Sequence, residues 1–496
     1  MAVAADWPCG AWPAGCGTLP YGAEPLGSHL QATGESAACA GFFRAFDRQV
    51  SAAGVADAQH ARAPGFPYLR SSRFLASFSG ELEGTARQQA WLQALHELGR
   101  RGQRVELANL PARPRNLAGA RRRRPGRRRP AARGLCGSRL LGLDSDQPQV
   151  WPLLRERSEV ADAYADYQRL LGLYPLTALA AVRGIAGLHA DIRATFARPP
   201  GNLQVVGELT DYRPPAAMVQ QAAVDWYADV PRDALGVPQL TEQQLERLFR
   251  RHAPIWRIDV AGQADRIGAP YWDDTDSPAI DTGRPVVYRE TSYTRWRGET
   301  LLQLNYIIWF PARPKTGSLD LLGGHIDGIT WRVTLDGDGS PLLYDAMHNC
   351  GCYHMAFPGA KLKPRERQSL WQEPLMVPAR APAPARGERI RIRIEQGSHY
   401  IQALEAVEDH PGALSYSFAD YDDLRSLPAP GDGQRSMFDQ RGLVPGTERL
   451  ERWLLWPMGV PEPGAMRQWG THATAFVGKR HFDDPDLIGR YFTAAP

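Results

Sequence analysis

The stretch from Tyr344 to Pro358, YDAMHNCGCYHMAFP, holds two of the chain's six cysteines and two of its twelve histidines within seven residues. His348, Cys350, Cys352 and His354 follow one another at intervals of two. Thiolate and imidazole donors in this number suit a transition-metal ion such as zinc, iron or copper. On a straight strand all four side chains share a face, but six residues of strand span roughly 20 Å at about 3.3 Å per residue. Two ligands of one zinc ion lie only about 3 to 4 Å apart. Convergence therefore needs a turn, and Asn349 and Gly351 are residue types that permit one. The first reading is a metal site made by these four side chains, although its spacing is CxC rather than the CxxC of structural zinc.

The same residues allow a second chemistry. A thiol nucleophile needs a histidine to take its proton and a third group to orient that histidine, and both partners come from elsewhere in the chain. His399, in the segment QGSHYIQAL, follows Cys352 by 47 residues. Asp345 is the expected orienter, with Asp327 and Asn305 as further candidates on neighbouring strands. The order is compatible with a papain-like or NlpC-like arrangement, which makes a thiol hydrolase or transferase with Cys352, His399 and Asp345 the alternative. A third reading has no chemistry: buried cysteine acts as a small hydrophobe, or Cys350 and Cys352 close a disulfide, in a structural or interaction protein. His325, His472 and His481 are outlying candidates for the same cleft. Asp273, Asp274 and Asp276 lack the glycine and terminal glutamate of a calcium loop and read as a solvated turn.

Charge excludes less than it suggests. The formal net charge of +4 turns negative without the seven arginines at 121–124 and 127–129. That arginine run lacks the lysines and aromatics that accompany nucleic-acid binding, so no nucleic-acid partner is expected, and the partners are otherwise open. Only four lysines occur in the whole chain, which suggests a GC-rich gene, and residues 111–135 read as a disordered or frameshifted insert. No apolar run approaches the roughly 18 to 20 residues of a membrane span. Ala14, Gly15 and Cys16 resemble a bacterial lipoprotein cleavage site, but residues 1–12 lack a basic start and an apolar core. An extracytoplasmic, envelope-associated protein without a transmembrane segment is the expectation. The six cysteines do not read as a disulfide framework.

Several elements must position these groups. At 496 residues the chain exceeds one hydrophobic core, so two lobes are expected. Residues 1–40 read as flexible and residues 41–254 as a mainly helical lobe. Leu92, Leu95 and Leu98 recur at helical spacing, as do Leu179, Val182, Ile185 and Leu188, and both helices should pack by those faces. Thr241 with Gln244 forms a capping box, and the helix it opens ends on Arg250, Arg251 and His252 beside the negative pole. After Pro254 the period changes to two, giving a β-rich lobe over 255–496. Trp331, Val333 and Leu335 share one strand face, Asp336–Gly339 supplies a hairpin turn, and the return strand should leave Asp345 and His348 in one polar cleft. Further strands are expected at 388–396 and 472–478. The fold class is α+β: a helical N-terminal lobe and a C-terminal lobe of mostly antiparallel strands.

Overall fold

The computed structural model describes residues 35–111, 129–215, 225–317, 320–366, 371–410, 414–431 and 433–495. Cys9, Cys16 and most of the arginine run lie outside these residues. The class is α+β, with helices concentrated in the first half and mostly antiparallel sheet in the second.

The helical half is built from α1 (Glu35–Ala53), α2 (Thr85–Asn109), α3 (Arg129–Ser145) and α4 (Val150–Arg157). Trp91, Leu92 and Leu95 of α2 pack with Phe43, Tyr68, Leu140 and Leu154, so this apolar stripe buries as its spacing requires. Cys39 of α1 and Cys136 of α3 are joined by a disulfide, a cross-link that the cysteine spacing did not reveal. Thus α1 begins inside the stretch expected to be flexible. Likewise α3 begins at Arg129, within the arginine-rich segment. The long helix α5 (Tyr174–Phe196) departs from expectation more sharply. Leu176 and Leu179 are exposed, Ala178 and His189 are its buried residues, and Ile185, Leu188 and Ile192 are only partly covered. The helix α6 (Glu242–His252) carries the capping box on Thr241 and Gln244, and its Leu248 and Phe249 are buried. His252 does not act as a cation at its C-terminus, because burial beside Arg251 and Arg389 lowers its pKa to about 3.

Two sheets face one another. The strands are β1 (Glu208–Arg213), β2 (Ile255–Val260), β3 (Val286–Trp296), β4 (Glu299–Arg313), β5 (Gly324–Leu335) and β6 (Pro341–His348). They continue with β7 (Met355–Pro358), β8 (Glu388–Ile394), β9 (Ile401–Glu408), β10 (Leu414–Ser415) and β11 (Ser417–Asp420). The larger sheet runs β7-β6-β5-β4-β3-β11, the smaller β9-β8-β2-β1-β10. Alternation sends Tyr306, Ile308 and Phe310 of β4 and Ile329, Trp331 and Val333 of β5 inward against Trp256, Ile258, Ile392 and Ile394. The opposite face of β4 is buried too, with Ile307 and Trp309 beneath Phe438, Met466, Trp469 and Phe482 of the C-terminal segment. The larger sheet is therefore a middle layer. Residues 472–478 do not form the expected strand; Ala473 makes only an isolated bridge to His481.

A register irregularity between Pro341 and Leu343 decides which way the chemistry faces. It places Tyr344 opposite Val333, Asp345 opposite Arg332 and Ala346 opposite Trp331. A one-residue slip exchanges the two faces of a strand. Tyr344 and Ala346 consequently join the core between the sheets, and Asp345 points the other way.

Candidate functional site

The segment after β6 turns back on itself as its Asn and Gly suggest. His348 N–H donates to the Cys352 carbonyl at 3.0 Å and Gly351 N–H to the His348 carbonyl at 2.7 Å. Gly351 has φ +92°, and a Cβ there would lie 2.5 Å from the Ala473 carbonyl oxygen, so only glycine fits. The turn brings the two cysteines together: Cys352 N–H lies 3.4 Å from the Cys350 sulfur, and both thiols are free. Cys352 donates to the Cys350 sulfur; that bond, then burial, pushes its thiol well above the ordinary value. The buried Arg467 guanidinium stands by both sulfurs, and its Nε donates to the Cys350 carbonyl at 3.2 Å.

His348 has the parity of Tyr344 and Ala346 and faces the inter-sheet side, as does Asp327, with the parity of Ile329 on β5. Its Nδ1 lies 3.5 Å from Asp327 Oδ1. The other oxygen, Asp327 Oδ2, accepts from His399 Nδ1 at 2.7 Å, and His399 Nε2 lies 3.5 Å from Asp265 Oδ1. Asp265 is fixed by the backbone N–H groups of Ala261, Gly262 and Gly397. The result is a buried chain, His348–Asp327–His399–Asp265, running from the turn of the larger sheet to the loops of the smaller one. Phe310, the register partner of Asp327, stacks on the His399 ring at 3.9 Å.

The electrostatics of this chain are graded. Burial would raise the Asp327 pKa, but His348 and His399 outweigh it and hold the carboxyl well below its usual range. Burial alone would lower His399; its bonds to Asp265 and Asp327 win, and its pKa is raised. For His348 burial wins over Asp327, so its imidazole is held neutral. Its Nε2 is buried and has no hydrogen-bond partner. Near it Glu451, 8% exposed, has its pKa raised to about 7 by burial, against the opposing pull of Arg313 and Arg449.

Two cavities meet at the thiols. A small one of about 10 Å³ is lined by His348, Asp327, Cys350, Tyr353, Arg449 and Glu451, and is close to the size that holds one water. A larger one of about 130 Å³ lies on the α5 side, and Cys350, Tyr353 and Glu451 line both. Ile326, Tyr353 and His399 are three of the seven non-glycine residues with positive φ among the described residues. Such conformations cost on the order of 1 to 3 kcal/mol each, so strain is concentrated around this chain.

The four-ligand metal arrangement is not assembled. His354 turns to the opposite side of the sheet, where its Nε2 bonds Asp345 at 2.9 Å and its Nδ1 meets Thr474 Oγ1 at 3.3 Å, leaving no ring nitrogen for an ion. Among the described residues no group of three or more His, Cys, Asp or Glu side chains gathers to hold a metal ion. Nor do Cys352, His399 and Asp345 come together as a triad. Asp345 is held by Arg332 through both oxygens and does not touch His399, whose orienting carboxylates are Asp327 and Asp265. Asn305 bonds the Glu290 carbonyl and Ser292. His325 bonds the Pro278 carbonyl, and His481 bonds Asp162 and Asp484. His472 bonds the Asn349 carbonyl and only braces the turn. Asp273 caps its own loop through Thr275 and Ser277. Asp265, Arg449 and Glu451 carried no signal in the sequence, since none lies in a motif and all three reach the site through tertiary packing. No family model, curated protein or solved structure matches the chain.

Proposed function

We propose that the chain is a thiol-dependent acyl hydrolase or transferase in which Cys350 is the nucleophile, His348 the general base and Asp327 the group that orients it. The observation that carries this reading is the His348 ring: buried, neutral, held at Nδ1 by a carboxylate, and unpartnered at Nε2 in a cavity that Cys350 also lines. A neutral imidazole so placed accepts a proton. The Cys350 thiol gives its proton to His348 Nε2 as sulfur attacks a carbonyl carbon. The tetrahedral adduct expels its leaving group, which takes that proton back, and water or another acceptor then cleaves the thioester. Cys352 is the poorer nucleophile, because its proton is held by the Cys350 sulfur and it does not line the small cavity. His399 and Asp265 act as positioning residues that keep Asp327 ionised. The Cys39–Cys136 disulfide supports an oxidising, extracytoplasmic compartment for the protein.

Alkylation by iodoacetamide near neutral pH, read by mass spectrometry with and without a chelator, tests the assignment. Cys350 should be labelled faster than Cys352, with no effect of chelator, and His348→Gln should slow that labelling. Equal, slow labelling of both thiols in metal-free protein would point instead to a structural turn. Protection relieved by chelator, together with bound zinc, iron or copper, would point to a metal centre.

A further inference from the structure

Resting on the thiol reading, we infer that the larger cavity is the acyl subsite and that it takes a compact, uncharged, apolar group of about six carbons. Its apolar walls include Ile185, Leu188 and Ile192 of α5 together with Met355, Met376 and Val460. Away from the two thiols, Tyr353 and Glu451, which lie toward the small cavity, the polar residues of the lining are neutral or already paired. His189 and His354 are each kept neutral, with pKa lowered by burial to about 4. Glu373 accepts from the backbone N–H groups of Phe476 and Val477 and from Arg480. Thr474 bonds His354 and Arg480. A charged tail would find no unpaired counter-ion at that far end, whereas an apolar one exchanges water for aliphatic contact. The volume of about 130 Å³ approaches the roughly 150 Å³ of an apolar cavity that accepts benzene. An acyl chain lying in it ends at Cys350, where the small polar cavity offers room for a carbonyl oxygen or a water beside His348 Nε2. The weak packing of α5 fits the same role, since this helix covers the cavity with half-buried side chains rather than sealing a core.

The test uses p-nitrophenyl esters of acetate, hexanoate, dodecanoate and 6-aminohexanoate with the full chain. Each buried methylene is worth about a fourfold preference, so four of them predict kcat/KM for hexanoate about 250-fold above acetate. The dodecanoate and the cationic 6-amino ester should both fall below hexanoate. Leu188→Trp, which fills the rim, should cut the hexanoate-to-acetate ratio at least tenfold. Hexanamide and acetamide, added to Cys350→Ser protein in a thermal-shift titration, give a readout that needs no turnover: hexanamide should stabilise the protein and acetamide should not. Turnover dependent on Cys350 without chain-length preference overturns the subsite and leaves the thiol reading standing. Hexanamide binding without Cys350-dependent turnover does the reverse. Absence of both overturns both.

Discussion

Two Asp–His pairs lie on opposite faces of the larger sheet, and they differ in what is left over. On one face, Asp345 is clasped by Arg332 through both oxygens and by His354, while His354 has a partner at each ring nitrogen and Arg332 also donates to the Phe482 carbonyl at 2.6 Å. Every strong donor and acceptor there is used. On the other face, Asp327 holds His348 and His399, yet His348 Nε2 has no partner and faces a cavity shared with a free thiol. A closed polar cluster ties a core together, and one with an atom to spare at a cavity is set up to act on something else. The seam between the helical half and the sheet half repeats the closed pattern, with Asp57 between Arg70 and Arg425 and Glu290 against Arg101. The helical half holds the joined cysteine pair, where the sheet turn holds the free one.

The comparison breaks first on activity. Cys350→Ser should remove turnover. His348→Gln or Asp327→Asn should lower it by about 10² to 10⁴, the usual worth of a positioned general base, with little change in melting temperature for His348→Gln. Steady-state kinetics on the hexanoate ester beside a thermal melt checks both halves. His354→Gln should show the opposite profile, losing stability while Cys350 in the folded variant keeps its alkylation rate. If His354→Gln costs more turnover per degree of melting lost than His348→Gln, the two faces have been assigned the wrong way round.

Stability should then separate the closed clusters. Asp345→Asn leaves the Arg332 guanidinium, 1% exposed, without its counter-charge. Removing one partner of a buried pair costs about 3 to 5 kcal/mol. Chemical denaturation should show a lower midpoint for this variant at an unchanged slope. Cutting the Cys39–Cys136 link by Cys39→Ser should cost about 2 to 4 kcal/mol, because the bridge closes a loop of 97 residues. Its effect belongs to the helical half, so Cys350 alkylation in the folded variant should be unaltered.

Local chemistry made part of this legible in the sequence. The Thr241–Gln244 capping box, the turn at Asp336–Gly339, the tight bend at Gly351 and the change of period after Pro254 all depend on residues within a few positions of one another. Asp327 could be named as an orienter because it sits beside the same hairpin. The face of Asp345 was not legible: it depends on the irregularity between Pro341 and Leu343, and alternation counted from Trp331 gives no warning of it. Asp265 and His399 meet Asp327 only because one sheet stacks on another. The exposed Leu176 and Leu179 show the converse failure, since an apolar stripe states that burial is favourable and not that a partner exists.

The smallest expected effect is the dependence of stability on pH, and it too sets the two faces apart. His354 has an ordinary pKa of 6.5 and a folded value of about 4, lowered first by burial and only partly restored by Asp345. A depressed value means that the unfolded chain binds the proton more readily. The contribution of His354 is therefore full above pH 6.5, falls as pH drops from 6.5 toward 4, and levels off below that. Its slope is about 1.4 kcal/mol per unit. His189, lowered to about 4, and His472, lowered to about 3, add in the same direction. His399 has the opposite sign. Its raised pKa gives a contribution that is full below 6.5 and is lost as pH rises through the folded value. Melting temperatures between pH 4.5 and 8 should fall toward acid for the wild-type chain, less steeply for His354→Gln and more steeply for His399→Gln. Parallel curves for the three proteins would mean that the closed and open faces are not electrostatically distinct.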